Sequence, residues 1–121
     1  MRTKLLLVDD EVITLKMTKM LLNQHDFDVE TSLSSSEAIS MLTSSDIDLI
    51  LLDISMPTID GFDFIKLMNS LRIRVPVIFL SSNEDEYTQK LATSEGVKRC
   101  VSKRNQFAEL PHIIRDVLNA A

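Results

Sequence analysis

The chain has 121 residues, 45% apolar and 26% charged, with a formal net charge of -5. That length supports one domain, residues 1–121, with a real core, and is too short for two. The acidic balance argues against direct nucleic-acid binding, which needs clustered Lys and Arg. The lone Cys100 rules out an internal disulfide, no window approaches a membrane span, and a cytoplasmic protein is expected.

In chain order, Leu5 to Val8 is a short unbroken apolar run ending in Asp9-Asp10-Glu11. Such a run reads as a strand buried on both faces. Val12 to Asn23 carries apolar residues at Val12, Ile13, Leu15, Met17, Met20, Leu21 and Leu22, compatible with an amphipathic helix whose Met and Leu serve the core. His25 after it reads as solvated. Phe27 to Thr31 alternates apolar and acidic residues, as an edge strand would. Ser34 with Glu37 forms a capping box that opens a helix through Ala38, Ile39, Met41 and Leu42.

The next strand lies in Ile47 to Asp53, with Leu49 to Leu52 as its apolar middle. Pro57 fixes its own φ and biases Met56 away from helix, so the chain turns out after Asp53. Asp53 is therefore expected at the carboxyl end of a central strand, where open α/β sheets place ligands; the plainer alternative is that it only marks a strand end. Asp60 can cap a helix with apolar positions at Phe62, Ile65, Leu67, Met68 and Leu71. Val75 to Leu80 predicts a strand opened by Pro76 and ended by Ser81-Ser82. Asn83 to Ser94 predicts a helix with a thin apolar face, its acidic start (Glu84-Asp85-Glu86) suiting the helix dipole and Gly96 able to end it. Val97 to Val101 is the last strand, followed by Ser102-Lys103. Phe107, Leu110, Ile113, Ile114, Val117 and Leu118 mark a final helix in which Pro111 must lie in the first turn or make a kink. Five strands alternating with five helices argue for a parallel sheet covered on both faces.

In such a sheet the strand carboxyl ends share one edge. Asp9 and Asp10, Asp53, Ser81 and Lys103 stand at four of them. Clustered carboxylates raise one another's pKa, a cost that a hard cation removes. Mg²⁺ suits the purpose, since it takes oxygen ligands and bridges to phosphate. Lys103 adds a mobile positive charge and Ser81 a hydroxyl donor, while a carboxylate such as Asp53 can form an aspartyl-phosphate. The set points to phosphoryl transfer. The structural alternative is that polar strand ends are common and these never meet.

On Asp9-Asp10-Glu11, Asp53-Ile54-Ser55-Met56-Pro57 with Asp60-Gly61, Ser81-Ser82 and Lys103, the chain resembles the receiver domain of two-component response regulators along its whole length, in the manner of the single-domain, chemotaxis-type members. The resemblance implies a flavodoxin-like sheet of order 2-1-3-4-5, for which a member of this family is a standard example. It implies that Asp53 accepts phosphate from a sensor histidine kinase or a histidine phosphotransfer protein and that the change passes to a downstream effector. Asp10, Asp53 and the Ser55 carbonyl would hold Mg²⁺ directly, with Asp9 acting through water, and Ser81 and Lys103 would hold the phosphoryl group. The domain would catalyse its own phosphorylation and dephosphorylation without being a turnover enzyme in the usual sense.

Two positions depart from the family pattern. Arg104 stands where a cis proline usually follows the lysine, and a non-proline cis bond costs about 2.5–4 kcal/mol. Cys100 stands where a Tyr or Phe usually swings with the switch. These departures support an alternative, a pseudo-receiver that acts as an interaction module without conventional switching. A haloacid-dehalogenase-type phosphatase would need a second Asp where Ser55 stands, and two glycines, Gly61 and Gly96, cannot build a glycine-rich phosphate loop.

Overall fold

Leu5, Leu6, Leu7 and Val8, and opposite them Leu49 to Leu52, lose all contact with solvent. They form the two central strands of a five-stranded sheet. In a computed structural model that describes residues 2–55, 60–81, 97–103 and 107–120, the order of elements is β1 (Thr3–Val8), α1 (Val12–Asn23), β2 (Phe27–Ser32), α2 (Ser35–Ser44), β3 (Leu49–Asp53), α3 (Gly61–Ser70), β4 (Val77–Ser81), β5 (Arg99–Ser102), a single 3₁₀ turn (Phe107–Glu109) and a C-terminal helix (Leu110–Asn119). All neighbouring strands are parallel, in the order β2-β1-β3-β4-β5. This is the flavodoxin-like arrangement. The helix expected over Asn83–Ser94, with Gly96, the turn at Met56-Pro57 and the Lys103–Arg104 bond lie outside the described residues.

The unbroken apolar runs resolve into two cores because successive side chains leave a strand on opposite faces. Leu6, Val8, Ile50, Leu52 and Phe79 pack with Ala38 of α2 and with Phe64, Ile65 and Met68 of α3. Leu5, Leu7, Leu49, Leu51 and Ile78 pack with Leu15 and Leu22 of α1 and with Leu110, Ile113 and Ile114 of the C-terminal helix. Helices thus cover both faces. β2 is an edge strand with a mixed pattern of exposure, as its alternation predicts.

The helix starts follow their side chains. Asp60 Oδ1 accepts the N–H groups of Phe62 at 2.9 Å and Asp63 at 3.4 Å, capping α3. Ser34 Oγ accepts the Glu37 N–H at 3.2 Å, but the Ser34 N–H goes to Ser32 Oγ at 3.3 Å, so the expected box is half made. Pro111 falls in the first turn of its helix, where its missing N–H has no partner to lose.

Two helix faces differ from the sequence reading. α1 buries only Leu15, Thr18 and Leu22, leaving Val12, Ile13, Met17 and Met20 exposed. α3 turns Phe64 inward and leaves Leu67 and Leu71 exposed, because residues 61, 64, 65 and 68 share the stripe that meets the sheet. Gly61 is part of that contact. A Cβ there would stand 2.7 Å from Ile54 Cγ2 and 3.1 Å from Phe79 Cζ, so the first turn of α3 reaches the sheet only without a side chain.

Candidate functional site

Connections leave β1 in opposite directions, first to β2 and then, through α2, across to β3. At such a switch point the carboxyl ends of the two strands face an open crevice. Asp9 follows β1 and Asp53 ends β3, so these two carboxylates flank it. Both are almost wholly buried, at 1% and 2% exposure.

Each is held by the same local device. Asp9 Oδ1 accepts the N–H of Glu11 at 3.0 Å, and Asp53 Oδ1 accepts the N–H of Ser55 at 2.8 Å. A carboxylate that takes the N–H two residues on makes an Asx turn, which swings the chain out of the strand and fixes one oxygen. The second oxygens turn toward one cation. Lys103 Nζ stands 2.7 Å from Asp53 Oδ2 and 3.3 Å from Asp9 Oδ2. Lys103 is placed by its own backbone, whose N–H donates to the Ser81 carbonyl at 2.8 Å across the ends of β4 and β5. Ser81 is buried at the end of β4, in register with Ser102 of β5.

Burial pushes the Asp9 carboxyl above its ordinary value, the Asp53 charge adds to the rise, and the Glu11 N–H and Lys103 only partly oppose it. Burial alone would lower the Lys103 ammonium, but the hydrogen bond and charge of Asp53, then those of Asp9, outweigh it and raise its pKa. Two acids therefore share one base, and the centre carries an excess of negative charge.

The structure brings Asp9, Asp53 and Lys103 into direct contact, with Ser81 beside them through its carbonyl. It does not bring Asp10 in: that side chain is exposed at the mouth. Ser55 contributes its N–H to Asp53, whereas the sequence reading used its carbonyl. Among the described residues no three acidic, His or Cys side chains are grouped to hold a metal. The oxygen donors nevertheless fit a hard cation, because two buried carboxylates share one ammonium and a divalent ion would relieve the charge left over. Sequence reasoning missed Glu11, whose N–H fixes Asp9, and Ser102, buried next to Lys103. An Asp followed by a chain reversal was the available signal for the first. The second needed the register of β4 and β5.

The family model for the response regulator receiver domain matches residues 5–115. The response regulator SaeR of Staphylococcus aureus (strain USA300) is 34% identical over 116 residues, which cover 96% of this chain and 50% of that protein. The chain thus spans about half the length of the relatives it matches. Among solved structures, a response regulator receiver domain protein from Clostridium thermocellum is 28% identical at a TM-score of 0.86, covering 98% of this chain and 95% of that one. The Francisella response regulator 1452 receiver domain, at 22% identity, shares the fold with a TM-score of 0.89 over 98% of both chains. The match runs through both strands that carry the carboxylates and through the lysine that joins them, and on it the chain belongs to the receiver domain family of two-component response regulators.

Proposed function

We propose that Asp53 accepts a phosphoryl group from a phosphohistidine, and that Lys103 and Ser81 hold that group once it has moved. The observation that carries this is the Lys103 ammonium, 2.7 Å from one buried carboxylate and 3.3 Å from a second. In the transfer the N–P bond of a phosphohistidine protonated on its other ring nitrogen breaks, an O–P bond to the Asp53 carboxylate forms, and neutral imidazole, which keeps that proton, leaves. Little covalent work falls to the protein, so its part is positioning and charge. The Asx turn at Asp53 fixes one oxygen, Lys103 follows the charge from carboxylate to phosphoryl oxygen, and the Ser81 hydroxyl donates to another. Mg²⁺ would be held by Asp53 and the Ser55 carbonyl, with Asp9 acting through water and Asp10, exposed at the mouth without the ion, turning in to join them, and it would neutralise the charge gathered on the phosphoryl oxygens.

The donor is a sensor histidine kinase or a histidine phosphotransfer protein. Support comes from α1, which starts three residues after Asp9 and exposes Ile13, Met17 and Met20 at helical spacing. This gives an apolar strip beside the mouth on which a donor helix can lie. A downstream effector would read the product, and a cytoplasmic setting fits such partners; among the described residues no helix is long and apolar enough to cross a membrane. The intact Lys103 pairing favours a working centre over an interaction module that no longer switches. Membership of the receiver family removes the haloacid-dehalogenase reading.

With Mg²⁺ and acetyl phosphate, the intact mass should rise by one phosphoryl group, released by hydroxylamine, and Asp53→Asn should stay unmodified. Equal modification of Asp53→Asn would place the acceptor elsewhere.

A further inference from the structure

At the other edge of the sheet, where the strands begin, a groove of about 840 Å³ opens between the starts of β4 and β5, the end of α3 and the last turn of the C-terminal helix. Sites for drug-sized ligands span about 300–1,000 Å³ and combine an apolar wall with a few placed polar groups. Met68, Ile73 and Val117 contribute to such a wall, and Arg74, Lys98 and Arg99 line the same space. Among the described residues none of these three cations enters a salt bridge or a side-chain hydrogen bond. Two acids, Asp48 and Asp116, also line the groove, so the three cations leave it one positive charge in excess. Asp48 Oδ2 accepts the Lys4 N–H at 2.8 Å, and Asp116 Oδ2 lies 3.5 Å from His112 Nε2. On a chain of net charge -5 this is a local reversal of sign.

Lys98 and Arg99 have a simpler use, since charged residues on an edge strand discourage pairing with another sheet. That accounts for neither Arg74, which precedes β4 in the interior of the sheet, nor the apolar wall beside it. We propose that the groove binds an amphipathic organic anion, with its anionic head among Arg74, Lys98 and Arg99 and its apolar body against Met68, Ile73 and Val117. The site is separate from the phosphoryl centre. β4 runs from Val77 to Ser81, and at about 3.3 Å per residue its two ends are roughly 13 Å apart. The proposal does not depend on Asp53 chemistry.

The test is a titration of isotope-labelled protein by amide NMR with decanoate, decanol and inorganic phosphate in turn. Decanoate, kept below its micelle concentration, should shift amides of residues 73–75, 77, 98–99 and 117–120 and leave those around Asp53 unchanged. Decanol and phosphate each lack one half of the required chemistry and should bind about tenfold more weakly or worse. Arg74→Gln combined with Lys98→Gln should weaken decanoate by a similar factor while the remaining spectrum stays that of the folded protein. Decanol binding as well as decanoate would reduce the groove to a general apolar surface. Phosphate binding as well would reduce it to a simple cation patch. No shift at these amides would remove the site.

Discussion

The two edges of the sheet treat charge in opposite ways. Among the described residues six polar or charged side chains are buried, and five of them (Asp9, Ser32, Asp53, Ser81 and Ser102) end or directly follow the five strands at the carboxyl edge. The sixth, Thr18, satisfies itself within α1 by donating to the Thr14 carbonyl at 2.8 Å. At the amino edge Arg74, Lys98 and Arg99 remain exposed and, among the described residues, without ion partners. An exposed charge costs the fold almost nothing and contributes almost nothing. A buried one costs several kcal/mol unless it is paired. The carboxyl edge therefore stores electrostatic tension that a ligand can release, and the amino edge stores none.

The largest expected effect tests this contrast directly. Lys103→Met strips the one cation that, among the described residues, contacts both buried acids, leaving Asp9 and Asp53 facing each other. Removing one partner from a buried pair costs about 3–5 kcal/mol. Urea unfolding without divalent ions should show a loss of that order, and Mg²⁺ should recover part of it by binding the native state. Arg99→Gln removes the same charge from the start of β5 and should change stability by no more than about 0.5 kcal/mol. Similar losses for the two variants would break the comparison.

The contrast also shows which parts of the molecule could be read in advance. The buried strands are legible because Leu5–Val8 and Leu49–Leu52 are apolar at every position, and only a sheet covered on both faces needs that. The helix faces are half legible. α1 carries seven apolar residues in twelve, more than one stripe can bury, and the sequence does not say that Leu15 and Leu22 go in while Ile13, Met17 and Met20 stay out. The surplus is decided by where the helix axis lies on the sheet. In the site, Asp9, Asp53 and Lys103 are legible as strand-end residues of a recognisable set. The sharing of one ammonium by two acids is not, because it depends on how β5 hangs beside β4 and on the hydrogen bond from Lys103 to Ser81. Nor is the separation of Asp10 from Asp9, because β1 ends at Val8 and it is the turn made by Asp9 with the Glu11 N–H that leaves Asp10 exposed.

Between the edges, packing rather than charge sets the tolerance, and Gly61→Ala measures it. The added methyl meets Ile54 Cγ2 at 2.7 Å and the ring of the fully buried Phe79 at 3.1 Å. Phe79 is locked in the core and already packs edge-on against Phe62 at 5.8 Å, so the first turn of α3 has to lift. Overpacking of this kind costs about 1–3 kcal/mol. Thermal unfolding should show that loss with or without Mg²⁺, since no charge is involved. A loss that Mg²⁺ repairs would tie the start of α3 to the carboxylate centre instead.

The smallest effect belongs to Cys100, which lies on β5 between the two edges, one residue from exposed Arg99 and two from buried Ser102. Its side chain is half buried against the core that holds Phe79, its register partner on β4. Burial pushes the thiol above its ordinary value of 9.0. A group whose pKa is raised by folding favours the native state while it stays protonated. The stabilisation is thus complete below pH 9.0 and is lost as the pH climbs through the raised native value. At neutral pH Cys100→Ser should show no change in pH dependence, while in the alkaline range the wild type alone should lose this increment. The direct measurement is the rate of thiol alkylation against pH, on the native protein and in concentrated urea. The native profile should lie to the alkaline side of the unfolded one. A native profile at or below the unfolded one would mean that the charge-accepting environment of the carboxyl edge extends two residues further down β5 than Lys103 and Ser102 mark it.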